Sequence, residues 1–153
     1  MVEYGSSRCG TIVGNLINQI EQLHRVGIVH GDIKPSNVII ADNGKVSLID
    51  FSNARRLGDN WSERGVSQST QSFAYPREDK RASQLHDYYA LLVTMSSLVG
   101  VSIKPSRHNF DIWSHSLITE LQKLGFSTTL TEQIIHLVEV IGDDLTKHHP
   151  NVA

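Results

Sequence analysis

The sequence predicts a mainly helical domain that carries one small β-hairpin on its surface. Three observations lead there. Apolar residues recur at three- and four-residue steps, so that Ile12, Val13, Leu16, Ile17, Ile20 and Leu23 share one helical face. Two short apolar runs, 38–40 and 45–49, are separated by Asp42-Asn43-Gly44, a turn sequence of the hairpin kind. The run 88–99, with Leu91, Leu92, Val93, Met95, Leu98 and Val99, is apolar around most of its circumference, as a buried central helix requires.

The elements follow in order. Residues 2–10 read as an extended piece running into a loop, because Gly5, Ser6, Ser7 and Gly10 interrupt helix propensity. Residues 11–25 read as the first helix, ended by Gly27. Residues 28–30 are a short apolar lead-in to a polar loop, and Asp50 stands at the end of the return strand of the hairpin. Residues 55–80 are polar and rich in Ser, Gly, Gln and Arg, and read as one long mobile surface segment. A loop is expected over 100–109, a helix over 114–124 ended by Gly125, and another over 131–141 with Thr131 as its cap. The end, 147–153, reads as frayed, and its His148-His149 pair, lacking a third ligand nearby, as solvated tail. Trp61 and Trp113 read as packing aromatics and Cys9 as an ordinary thiol.

The 153 residues correspond to one domain or a large part of one. An apolar fraction of 39% and a charged fraction of 20% allow a core and argue against disorder. A net charge of −2 offers no attraction to nucleic acid or to a membrane surface. The apolar runs fall well short of a membrane span. No basic-then-apolar leader opens the chain, and a single cysteine excludes an internal disulfide, so a reducing, cytoplasmic setting is expected.

The chemistry lies in His30-Gly31-Asp32-Ile33-Lys34-Pro35-Ser36-Asn37, followed by Asp50-Phe51-Ser52. Asp32 is a candidate general base, able to orient a hydroxyl and accept its proton. Lys34 can neutralise a phosphoryl group. Asn37 offers a neutral oxygen and Asp50 a charged one to a hard cation; magnesium favours one or two carboxylates plus phosphate oxygens and water. Pro35 stiffens the backbone between them. Any one of these residues alone reads as part of a polar turn, but the pattern His-x-Asp-x-Lys-x-x-Asn has a chance frequency on the order of a few in ten thousand for a chain of this length. Such a set of groups suits phosphoryl transfer from a metal-bound nucleotide.

These residues resemble the catalytic loop and metal-binding segment of eukaryotic-like serine/threonine protein kinases. The resemblance implies Asp32 and Lys34 as catalytic residues, with Lys34 contacting phosphate, and Asn37 and Asp50 as ligands of Mg2+. It implies Ile39 as part of the floor under the adenine of ATP, and Val2-Glu3-Tyr4-Gly5 as a hinge whose Glu3 and Tyr4 backbone groups bond the base. Residues 11–25 resemble the helix before the catalytic loop, and Ser72-Phe73-Ala74-Tyr75-Pro76-Arg77-Glu78 the end of the activation segment, where a protein substrate docks. Asp87 resembles the aspartate that holds the catalytic loop by its backbone; Asp111-Ile112-Trp113-Ser114 imitates that signature ahead of a less apolar helix. The likeness covers residues 1 to about 100, the rest matching only as generic helices.

The sequence departs from the family in several places. A glycine-rich phosphate loop, a strand lysine and a helix glutamate have no counterpart in the chain. Residues 1–150 are therefore expected to be the C-terminal lobe of an incomplete kinase domain, its hinge-side surface covered by a partner protein or by an N-terminal lobe of roughly 80 to 100 residues. Gly31 replaces the arginine that usually follows the histidine, so phosphorylation of the activation segment is not the expected switch, although Ser67, Ser69, Thr70 and Ser72 remain candidates for modification. Ser52 replaces the glycine after Asp50-Phe51, narrowing the backbone choices there. The segment end around Glu78 is one residue short. Two other readings stay open: a kinase-fold binding module or scaffold without activity of its own, and a small-molecule kinase of the aminoglycoside or choline type, against which Lys34 and Pro35 argue.

Overall fold

A computed structural model describes residues 2–60, 73–76 and 81–147, the side chains of 2–7 and 147 excepted. The expected mainly helical domain with a small hairpin is what it contains. The order is α1 (Val2–Arg25), β1 (Ile28–Val29), a 3-10 turn (Pro35–Asn37), β2 (Val38–Ile40), β3 (Val46–Leu48), β4 (Arg55–Arg56), α2 (Gln84–Leu98), α3 (Phe110–Lys123) and α4 (Thr128–Lys147).

Helix α1 corrects the first expectation. Residues 2–10 are helical, continuous with the amphipathic stretch that follows, and no extended hinge exists there. Each glycine within a helix costs only about 0.5–1 kcal/mol, and once a helix is nucleated, adding residues is cheap. The apolar face of the helix supplies Val13, Leu16, Ile17 and Ile20 to the core. It ends as expected: Gly27 adopts a left-handed φ of 80° and its N–H closes on the His24 carbonyl at 3.0 Å.

The hairpin also forms as expected. Val38 pairs with Leu48 and Ile40 with Val46, antiparallel. Ala41 and Lys45 close the loop, the Gly44 N–H donates to the Ala41 carbonyl at 2.8 Å, and Gly44 takes a φ of 86°. Helix α1 grips this turn: Asn15 Nδ2 donates to the Gly44 carbonyl at 3.0 Å and Arg8 Nη1 to the Asp42 carbonyl at 3.1 Å.

The structure adds a second two-stranded ribbon to the expected hairpin. Strand β1 pairs with β4, Val29 opposite Arg55. The beginning of the 55–80 segment is thus fastened rather than loose. Gly58 N–H donates to the Ala82 carbonyl and Ala82 N–H to the Asp59 carbonyl, both at 2.8 Å. Residues 61–72 and 77–80 lie outside the described residues, and with them Trp61, Ser67, Ser69, Thr70, Ser72, Arg77 and Glu78; so do His148 and His149.

The three later helices begin earlier than the expected bounds, each after a polar residue. Ser83 precedes α2, its N–H bonded to His86 Nδ1 at 3.1 Å. Asn109 precedes α3. Ser127 precedes α4 and its hydroxyl accepts from the Leu130 N–H at 3.1 Å; it takes the capping role expected of Thr131, which lies inside the helix. Helix α2 is the axis of the core: Tyr89, Leu91, Leu92 and Met95 are buried against α1, against Phe110, Trp113 and Leu117 of α3, and against Ile134 and Ile141 of α4. Trp113 is fully buried, in keeping with a packing role. Cys9 sits half-buried on α1, where desolvation raises its thiol pKa and so keeps it protonated. No described helix is long and apolar enough to cross a membrane.

Candidate active site

The loop between β1 and β2 alternates between core and site. Ile33 is fully buried in the core cluster. Its neighbours Asp32 and Lys34 meet on the other side, Lys34 Nζ lying 3.5 Å from Asp32 Oδ2. The sequence reading gave Ile33 no role, yet it is the peg that holds the loop; one apolar residue between two charged ones, in a chain not otherwise alternating there, is its signal.

Asn37 closes the loop on itself. Its Nδ2 donates to the Asp32 carbonyl at 2.9 Å and to Asp32 Oδ2 at 3.2 Å. With the nitrogen so occupied, the amide oxygen carries no hydrogen bond among the described residues and remains available to a cation. The Asn37 carbonyl accepts from the Ile49 N–H at 3.0 Å, one step beyond the Val38–Leu48 pair, so Asn37 and Asp50 leave the same end of the hairpin. Asp32, Lys34 and Asn37 are thereby brought together, with Asp50 at the adjoining strand end.

His30 joins the loop to the strand end. It is completely buried. Its Nδ1 accepts from the Asp32 N–H at 3.1 Å, which leaves Nε2 as the protonated nitrogen donating to the Ile49 carbonyl at 2.9 Å. The ring meets Phe51 edge-on, centroids 4.8 Å apart. One imidazole therefore sets the position of the Asp32 backbone and of the residue before Asp50.

Asp87, in the first turn of α2, anchors the same loop from below. Fully buried, it accepts from the His30 N–H at 2.8 Å, from the Gly31 N–H at 2.9 Å and from His24 Nε2 at 2.9 Å. The imitating aspartate, Asp111, is exposed on α3. Gly31 turns its N–H toward Asp87 by adopting a φ of 84°. A side chain with a Cβ is strained in that region by roughly 1–2 kcal/mol. Gly31→Ala is accordingly expected to lower stability by about that amount in urea unfolding, with the slope unchanged.

Asp50 is the one non-glycine described residue with positive φ, at 58°. Aspartate tolerates this conformation when its side chain bonds locally. Here Oδ1 accepts from the Ser52 hydroxyl at 2.6 Å and from the Ser52 N–H at 3.2 Å. These bonds, the hydroxyl first, hold the Asp50 carboxyl below the ordinary aspartate pKa, and the Lys34 charge adds to the effect. The group is thus an anion at neutral pH and well into the acid range. No cluster of three or more His, Cys, Asp or Glu exists among the described residues. One carboxylate and one amide oxygen instead fit a hard cation that brings phosphate oxygens and water as its remaining ligands.

The other expected site residues lie apart from this group or outside description. Ile39 is on β2 and 52% exposed. The backbone of Glu3 and Tyr4 is helical, so the adenine-bonding hinge expected from an extended chain is not formed, and their side chains lie outside the described residues. Of the activation-type segment end, Phe73–Pro76 are described: Tyr75 is buried against Tyr89 and its hydroxyl donates to Asp144 Oδ2 on α4 at 2.5 Å.

This geometry agrees with what the chain resembles among known proteins. It is 50% identical over 44 residues to a probable serine/threonine-protein kinase of Streptomyces coelicolor, covering 29% of this chain and 6% of the relative. It is 41% identical over 51 residues to the probable serine/threonine-protein kinase PknB of Bifidobacterium longum, covering 33% and 7%. A longer match, 26% identical over 131 residues, is to the serine/threonine-protein kinase PEPKR2 of Arabidopsis thaliana, covering 86% of this chain and 27% of the relative. The matched stretches thus span from 6% to 27% of the length of these relatives. The family described as the protein kinase domain matches residues 2–141. The loop pegged by Ile33, hung from Asp87 and closed by Asn37 lies within the matched residues, and the chain belongs to the protein kinase domain family.

Proposed function

We propose that this protein transfers the γ-phosphoryl group of ATP to serine or threonine hydroxyls of a protein, with Mg2+. The observation that carries this reading is the convergence of Lys34 and Asn37 on the Asp32 carboxylate, with Asp50 at the adjoining strand end. Protein kinase domains in general use ATP and a metal and act on proteins; the serine/threonine specificity is taken from the names of the relatives and from Lys34.

In this reading Asp32 orients the acceptor hydroxyl and takes its proton as the oxygen attacks the γ-phosphorus, while ADP departs with the bridging oxygen. Lys34, already 3.5 Å from that carboxylate, shifts to the phosphoryl oxygens as their charge develops. Asn37 and Asp50 would hold Mg2+, which supplies charge neutralisation at the phosphates. Residues 1–150 act as the larger lobe. Ile39 would contribute apolar contact beneath the base, and Glu3 and Tyr4 would bond it only after the first turns of α1 unwind.

A second reading, a binding module without turnover, is favoured by one observation: Ile39, Ile40, Ile49 and Phe51 are all exposed around the hairpin, an apolar group that suits a covering lobe or partner protein. The two readings are separated by incubating the full-length protein with γ-labelled ATP, Mg2+ and a serine/threonine-containing acceptor protein, with an aminoglycoside and choline in parallel. Label on the protein acceptor, abolished by EDTA, supports the first reading. Label on the small molecules alone, or none despite tight ATP binding, overturns it.

A further inference from the structure

We infer that Ser52 is a positioning residue for the metal site, one that fixes Asp50 as a one-oxygen ligand and so selects small divalent cations over calcium. The inference rests on the reading of Asp50 as a metal ligand. Asp50 is exposed, so packing does not hold its side chain. Its backbone stands in the left-handed region at a φ of 58°. Among the described residues, the only hydrogen bonds to its carboxylate come from Ser52, and both reach the same oxygen: the hydroxyl at 2.6 Å and the N–H at 3.2 Å from Oδ1. The first has the length of a charge-assisted O–H···O bond.

Two consequences follow from that geometry. The carboxylate rotamer is set before any cation arrives, because rotation would break both bonds. With Oδ1 committed to two donors, Oδ2 is the oxygen left to a cation, and a chelate through both oxygens is disfavoured. Magnesium and manganese accept a single carboxylate oxygen within an octahedral shell at about 2.0–2.1 Å for magnesium. Calcium, with six to eight longer bonds, often takes both oxygens of a carboxylate. A glycine at this position supplies the N–H but not the hydroxyl, so the preference is particular to a serine or threonine here. Outer groups that orient a metal ligand typically change affinity by about 10- to 100-fold when removed, and at an exposed position the lower end applies.

The test is Mn2+ binding to the full-length protein, followed by the loss of the free-ion electron paramagnetic resonance signal beyond that of a protein-free control with the same ADP, with Ca2+ as competitor. Four proteins are compared: wild type, Ser52→Ala, Ser52→Thr and Asp50→Asn. Asparagine tolerates the left-handed backbone and retains an oxygen for Ser52, so Asp50→Asn removes the charge without disturbing the turn. The expected result is that Ser52→Ala binds Mn2+ about tenfold more weakly, with Ca2+ competing better, and that Ser52→Thr stays within about twofold of wild type. Circular dichroism unchanged in all four excludes a folding defect. Ser52→Ala matching wild type for both ions, while Asp50→Asn loses Mn2+, overturns the inference and leaves Asp50 as ligand. Asp50→Asn binding Mn2+ as wild type does, or wild type failing to bind it, overturns the reading of Asp50 and the inference with it.

Discussion

Asp32→Asn is expected to reduce phosphoryl transfer by the full-length protein about 10²- to 10⁴-fold while leaving its fold and ATP binding largely intact. Asparagine is close to the same size and preserves an oxygen for the Asn37 amide, which donates to Asp32 Oδ2 at 3.2 Å. The backbone interactions of residue 32, from its N–H to His30 Nδ1 and from Asn37 to its carbonyl, do not depend on the carboxylate. What disappears is the proton acceptor, together with the partner of Lys34 at 3.5 Å. The loss therefore falls on kcat, with KM for ATP little changed. Initial rates with labelled ATP give the answer, and unchanged kcat would remove Asp32 from the chemistry.

Asp87→Ala carries the largest expected cost in stability. The carboxylate is fully buried and satisfies three donors: His30 N–H, Gly31 N–H and His24 Nε2. Its removal leaves all three without an acceptor in a space closed to water, and each orphaned buried donor costs about 1–3 kcal/mol. Allowing for relaxation, a loss of about 3–5 kcal/mol is expected, a large share of the 5–15 kcal/mol that holds a typical domain. Asp87→Asn should cost less, since one oxygen remains to accept. Asp111→Ala, at an exposed position on α3, should stay within about 0.5 kcal/mol of wild type. Urea denaturation compares the three; equal stability of Asp87→Ala and Asp111→Ala would refute the anchoring role.

The loop was legible in the sequence because its residues act over short, fixed offsets. Asn37 reaches Asp32 within one turn of chain, and the hairpin that returns Asp50 is written in Asp42-Asn43-Gly44. Asp87 was found because it precedes the most apolar stretch of the chain. Elsewhere the local signals misled. Gly5 and Gly10 signal a break, whereas the helix they sit in runs on into the well-buried face of Val13, Leu16 and Ile20. The first turns of α2 and α4 are largely polar and give apolar periodicity little to follow, whereas α3 opens on Phe110, Ile112 and Trp113; Ser83, Asn109 and Ser127 mark the three starts. Ribbon β1·β4 is two residues long on each side, too short for a period to show, and exists because the chain after Asp50 returns to the loop's entrance. In the sequence Ser52 signals only a backbone restriction; its hydroxyl bond to Asp50 depends on the left-handed turn, which sequence pattern does not reveal.

The central claim is that the side chains at 32, 34, 37 and 50 surround one seat for a divalent ion and a nucleotide's phosphates. Paramagnetic broadening by Mn2+ with ADP, read on the isotopically labelled full-length protein, tests it most directly. The account predicts that the Asn37 side-chain amide and the backbone amides of Asp50 and Ser52 broaden first, and that Mg2+ in excess restores them. Broadening centred elsewhere, with these three signals untouched, would contradict it.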